Sequence, residues 1–126
     1  MSVFSTAELE YLTGGRRLAR LATVGRDGTP HVVPCGFRYN AEFDTIDIGG
    51  HSMEATKKFR DVAASGRAAV VVDDLASVDP WRPRAIEVRG RAEAITAPDA
   101  LIRIVPQRVV SWGLEANRRA RSVRPG

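Results

Sequence analysis

The sequence contains one cysteine, two histidines and no long apolar run. A single thiol, Cys35, excludes an intramolecular disulfide and any zinc site built on several thiolates. A reducing compartment is the natural setting for such a chain, and a cytoplasmic location is expected. His31 and His51 are the only imidazoles, and no carboxylate stands at a recognised ligand spacing from them, so no metal site is expected. The longest apolar candidate, Ala68 to Val72, is strand-sized and too short to cross a bilayer. The opening MSVFSTAELEYL has no basic segment leading into a long apolar stretch, so no signal peptide is expected. No Walker loop, G-x-G-x-x-G, H-E-x-x-H or G-x-S-x-G occurs, which removes the sequence signals of dinucleotide-fold binding and of the commonest hydrolases.

What remains is an ordinary globular composition: 126 residues, 44% hydrophobic and 27% charged. That length fits one domain, and a chain this short encloses little volume. A large ligand would sit on an edge or between subunits. The formal charge is +4, and the pI is about 10.0. This balance suits a polyanion, whether nucleic acid, anionic lipid or a phosphorylated cofactor.

The periodicity predicts a mainly β protein with small helices. Ser5 and Glu8 form a capping box for a helix over Thr6 to Leu12, stopped by Gly14-Gly15. Strands follow over Leu18 to Val24, His31 to Val33, Phe37 to Tyr39 and Thr45 to Ile48, with an Asp27-Gly28 turn after the first. Pro34 implies an edge or a bulge. Met53 to Ala64 reads as a helix capped by Ser52, with Phe59, Val62 and Ala63 as its buried stripe. Ala68 to Val72 reads as a central strand buried on both faces, Asp73 to Arg84 as a loop, and Ala85 to Ile95 as a long alternating strand. Pro98 through Ile104 reads as a short helical segment and Arg108 to Trp112 as a last strand. Residues 1–116 form one domain in this reading. Residues 117–126, with four arginines and no acid, form a mobile basic tail. Six antiparallel strands in so short a chain close most easily as a small barrel.

Two stretches are candidates for chemistry. Gly49-Gly50-His51-Ser52, followed by Thr56-Lys57-Lys58, places paired glycines, a helix start and two lysines together, which suits a phosphate. The same residues also read as a tight turn and a solvated basic face, with Glu54 pairing Lys58. Asp79-Pro80-Trp81-Arg82-Pro83-Arg84 holds a tryptophan between two prolines in a loop. Trp81 would cover a ring system or a partner subunit, or plug its own barrel. Cys35 reads as a small buried residue. The terminal arginines lack interleaved aromatics and read as solvated rather than as a nucleic-acid surface.

The order of these motifs resembles a known superfamily. Arg20-Leu21-Ala22-Thr23-Val24, Gly28-Thr29-Pro30-His31-Val32-Val33-Pro34 and Lys57-Lys58-Phe59-Arg60-Asp61-Val62 resemble the pyridoxamine 5'-phosphate oxidase-like split β-barrel proteins. The run from Asp79 to Arg84, then Glu87 to Glu93 and Pro106 to Leu114, is similar to the actinobacterial flavin/deazaflavin oxidoreductases that use coenzyme F420. The resemblance implies a six-stranded split barrel of the FMN-binding type and an obligate homodimer with the cofactor at the subunit interface. It also implies hydride transfer through the deazaflavin ring to a small conjugated acceptor, without a dedicated catalytic side chain. By the same resemblance, Lys57 and Lys58 hold the cofactor's phosphate or acidic tail. Gly50, His51 and Ser52 contact the phosphate side. Val33 and Pro34 border the ring, and Trp81 and Arg84 reach it across the dimer. No membrane and no nucleic acid enter this reading. The alternatives within the same fold are an FMN- or haem-binding protein, or a carrier that binds F420 without catalysis.

Overall fold

The computed structural model describes residues 1–115 and 117–124. Two α-helices, α1 (Thr6–Thr13) and α2 (Lys57–Ser65), accompany eight strands: β1 (Ala19–Val24), β2 (Pro30–Cys35), β3 (Arg38–Asn40), β4 (Thr45–Gly49), β5 (Arg67–Ser77), β6 (Arg82–Ile95), β7 (Leu101–Trp112) and β8 (Arg118–Ser122). All pairings are antiparallel. The order is β2-β1-β5-β6-β7-β4-β3, with β8 also joined to β7. The sheet curls into the half-barrel of a split-barrel fold, with eight strands where six were expected.

The core lies on the concave face. Leu21, Val70, Val88 and Val109 form one row across β1, β5, β6 and β7, and all four are buried. Ile46 and Ile48 continue the same layer opposite Ile104 and Ile102. Phe59 and Val62 of α2 and Tyr11 and Leu12 of α1 join the same cluster. Burial at alternate strand positions is what a half-covered sheet requires. In β5 only Val70 and Val72 are buried; Ala69 and Val71 are half-covered, so this strand is central but not buried on both faces.

Several boundaries differ from the sequence expectation for identifiable reasons. The capping box of α1 is present as read, with Ser5 and Glu8 bonding reciprocally. The helix expected from Met53 begins instead at Lys57, after one 3-10 turn over Met53–Ala55. Ser52 takes a left-handed backbone (φ 52°) and caps nothing. Thr56 is the cap, accepting the Phe59 amide through its side chain and donating to the Met53 carbonyl at 2.7 Å. Ala63 is exposed, and Asp61 takes its place in the buried stripe.

The expected loop from Asp73 to Arg84 is largely strand, because Asp74 and Arg84 face each other in register and pair their charges. Only residues 78–81 turn. Residues 101–104 are strand rather than helix, because Ile102 and Ile104 alternate into the core. Pro106 fits β7 at a bulge, where the register slips between Arg89 and Gly90.

The segment expected to be a mobile basic tail is largely β8. Arg108 to Trp112 pair with Ser122 to Arg118, and Arg121 reaches back to α1. Its guanidinium bonds both carboxylate oxygens of Glu8, at 2.9 and 2.6 Å, and the Val3 carbonyl at 2.8 Å. Glu8 is fully buried. Burial pushes its carboxyl up, but the bonds from Arg121 and Ser5 outweigh that and hold it below the ordinary value. The last two residues of the expected tail, Pro125 and Gly126, lie outside the described residues.

Candidate functional site

β2 is an edge strand whose one partner among the described residues is β1. His31, Val33 and Cys35 occupy one face of it and are half-buried; Pro30, Val32 and Pro34 occupy the other and are exposed. The first turn of α2 lies beside the inward face. Neighbouring residues on a helix point about 100° apart, and Lys57 and Lys58 stand in different surroundings. Lys58 is half-buried, and its charge is felt at the Cys35 thiol, which burial pushes up and Lys58 draws back down. Lys57 turns the other way, toward His31.

A cleft of about 650 Å3 opens on the Lys57 side, lined by Arg26, Asp27, Thr29, His31, Arg60 and Asp61 among others. Lys57 is held there by Asp61, its Nζ 3.2 Å from Oδ1. Thr23 donates to the other carboxylate oxygen at 3.0 Å. Burial pushes the Asp61 carboxyl up, but these hydrogen bonds prevail and keep it below the ordinary range. The helix pair is therefore Lys57 with Asp61 rather than the expected Glu54 with Lys58.

The other residues singled out from the sequence lie elsewhere. Gly50, His51 and Ser52 form an exposed turn between β4 and the 3-10 turn before α2. Trp81 sits at the tip of the β5–β6 hairpin and is 66% exposed, so it does not plug its own barrel. Arg84 is already engaged. It makes two bonds to Asp74, at 3.0 and 2.6 Å, while Arg17 and the Tyr11 hydroxyl bond the same carboxylate. Both guanidiniums lie over the Tyr11 ring, 4.0 Å (Arg17) and 5.2 Å (Arg84) from its centre. Val33 and Lys58 thus share the β2–α2 side, whereas Trp81 and Arg84 belong to the far hairpin. Arg26, Arg60 and Asp61 were missed as site residues. The available signal was the i,i+4 spacing of Lys57 and Asp61.

The Asp74 cluster carries a pH prediction. Arg84 above all, with Tyr11 and Arg17, lowers the Asp74 carboxyl from 3.8 to about 2 despite partial burial. A carboxyl lowered on folding adds stability above its unfolded value and loses that contribution as pH falls. Denaturant unfolding should therefore show stability declining between about pH 4 and pH 2. Asp74→Asn should lower stability at neutral pH and flatten part of the decline; an unchanged acid profile in that variant would refute the assignment.

The curled antiparallel sheet and the helices packed on it define a split-barrel fold. The model of the family described as pyridoxamine 5'-phosphate oxidase matches residues 5–125, and the chain belongs to that family. It is similar to the 5a,11a-dehydrotetracycline/5a,11a-dehydrooxytetracycline reductase of Streptomyces rimosus. The two are 41% identical over 123 residues, covering 90% of this chain and 86% of that one. A solved haem-binding protein from Mycobacterium smegmatis shares the fold with a TM-score of 0.71 and 17% identity, over 94% of this chain and 58% of the other. A structure described as an F420 reductase shares it with a TM-score of 0.61 and 22% identity, over 79% and 94%. No helix among the described residues is long and apolar enough to cross a membrane.

Proposed function

We propose that this protein is an oxidoreductase that transfers hydride between a deazaflavin of the coenzyme F420 type and a small conjugated organic acceptor. The observation that carries the reading is the 41% identity, along nearly the whole chain, to a reductase named for a dehydrogenated tetracycline. The residues present are compatible with an elongated, anionic ring cofactor. Val33 and Cys35 offer a half-buried apolar strand face, and Lys58 adds a cation beside it. A bound deazaflavin supplies the hydride chemistry itself. The chain's part in this reading is to border the ring with the β2 backbone at Val33 and Pro34, meet its phosphate with Lys58 and the Gly50-His51-Ser52 turn, and exclude water.

The reading includes a homodimer with the cofactor between subunits, in a reducing, cytoplasmic setting. The open edge at β2 and the exposed side chains of Val32 (70%), Val78 (70%) and Trp81 (66%) support a covering partner. Trp81 would then contact the cofactor bound chiefly by the other subunit. Arg84 can join it there only by sharing or leaving Asp74.

Fluorescence titration tests the cofactor. The deazaflavin should bind more tightly than FMN, and Lys58→Ala should weaken it by about tenfold, the scale of one charge-assisted hydrogen bond. The loss should be larger at low salt. Equal or tighter binding of FMN would reject the deazaflavin. A flavin or Soret band in freshly purified protein would favour the FMN or haem alternative.

A further inference from the structure

The β5–β6 hairpin runs past the sheet it belongs to. Val72, opposite Ala19, is the last residue of β5 to pair with β1, and Ala85, opposite Trp112, is the first of β6 to pair with β7. Residues 73–84 therefore pair across the hairpin alone and form a two-stranded arm. A lone hairpin is at best marginally stable in water. This one also carries apolar side chains outward: Leu75, Val78 and Trp81 are all exposed. Something other than strand pairing must set its angle.

The Asp74 cluster stands where the arm leaves the sheet. Asp74 and Arg84 face each other on the two strands, and α1 with the chain just after it grips both. The Tyr11 hydroxyl donates to Asp74 Oδ1 at 2.8 Å and reaches the Arg84 carbonyl oxygen at 3.3 Å. Arg17 donates through Nε to Asp74 Oδ2 at 3.1 Å, and through Nη1 to the Tyr11 carbonyl at 2.9 Å. Tyr11 is buried in the main core, so the grip is anchored there. The arm's backbone is also clamped at Gly113, where a Cβ would lie 2.3 Å from the Pro83 carbonyl oxygen. Trp81 stands three residues beyond Arg84, roughly 10 Å along the strand. Any tilt at the cluster is carried to the indole.

We propose that Tyr11 and Arg17, acting through Asp74 and Arg84, are positioning residues that lock the arm and fix where Trp81 meets the acceptor. Arg84 then belongs to the lock rather than to the cofactor. The lock stands on the arm's own geometry. The acceptor role of Trp81 rests on the oxidoreductase reading above, in which the indole closes over the ring held by the other subunit.

The test uses the whole protein carrying Trp112→Phe, which leaves Trp81 as its single tryptophan. The fast anisotropy decay of Trp81 fluorescence reads the motion of the arm. Tyr11→Phe keeps the ring and removes the hydroxyl, and Arg17→Gln removes one cation. Each should enlarge the fast component at an unchanged circular dichroism spectrum. Arg91→Gln, on the exposed face of β6, should not. Turnover with reduced deazaflavin and a dehydrogenated tetracycline-type acceptor supplies the second readout. Both variants should raise the acceptor KM by about threefold, the scale of one hydrogen bond, with kcat nearly unchanged. A loss of folded protein would instead lower the apparent kcat at constant KM. In a double-variant cycle, Tyr11→Phe should add nothing to the KM of Trp81→Ala, because the lock acts through the indole. Unchanged anisotropy in both variants, or KM effects that add to that of Trp81→Ala, would overturn the lock. An absence of deazaflavin binding and turnover in the unsubstituted protein would defeat the enzymatic reading, and the anisotropy would still decide the lock.

Discussion

Arg121→Ala should destabilise the protein by about 3 kcal/mol, the scale seen when one partner of a buried ion pair is removed. The side chain closes the chain's two ends on each other, from β8 to the fully buried Glu8 and the Val3 carbonyl. Its loss leaves a carboxylate in the interior with the Ser5 amide and the Ser111 side chain to meet it. The deficit should shrink in acid. With Arg121 present, the Glu8 carboxyl is lowered and contributes stability above its unfolded value. Without it, burial dominates and Glu8 takes up a proton at higher pH, which relieves the unpaired charge. Urea unfolding at neutral pH and near pH 4 checks both points. Arg119 provides the control: its pair with Glu115 is exposed at both ends, and Arg119→Ala should leave the unfolding curve almost unchanged. Equal effects of the two substitutions would contradict the closure of the ends by β8.

Gly90→Ala should have an effect of similar size, at least about 3 kcal/mol, at the upper end of what overpacking causes. A Cβ at this position would lie 1.9 Å from the Val105 carbonyl oxygen and 2.9 Å from its carbon. Both are backbone atoms of the adjacent strand, so no side-chain rotation relieves the overlap. The bulge that admits Pro106 would have to open, separating β6 from β7 in the middle of the sheet. Gly28→Ala is a useful contrast. Its Cβ meets nothing within 4 Å, and the cost there comes only from its positive φ of 86°. Thermal unfolding should rank Gly90→Ala well below Gly28→Ala; the reverse order would mean that the bulge is not as described.

Much of the fold was legible from local signals. The capping box at Ser5, the Asp27-Gly28 turn and the alternation of β6 each depend on residues close in sequence, and each appears. The misplaced segments depend on distant partners. Nothing local in Asp73 to Arg84 announces that Asp74 and Arg84 will stand opposite each other. Arg121 reads as solvated because its partner, Glu8, lies 113 positions away. Residues 98–104 offered a helical start at Pro98, and the two-residue alternation of Ile102 and Ile104 was the stronger signal.

The candidate site was legible in part. The basic start of α2 was found from its lysines, but the partner of Lys57 was not, because Thr23, which anchors Asp61, comes from a distant strand. Arg26, Arg60 and Asp61 escaped notice because the cleft they line is assembled from two separate segments. The positive balance of the whole chain has become local: one cation beside β2, a cluster lining the cleft at Lys57, and a terminal arginine consumed in folding.

Anaerobic mixing of the protein with reduced deazaflavin and a dehydrogenated tetracycline-type acceptor tests the central claim most directly. The account predicts oxidation of the deazaflavin with matching reduction of the acceptor, at a rate proportional to protein and lowered in Lys58→Ala. Turnover with reduced FMN but none with the deazaflavin would contradict it.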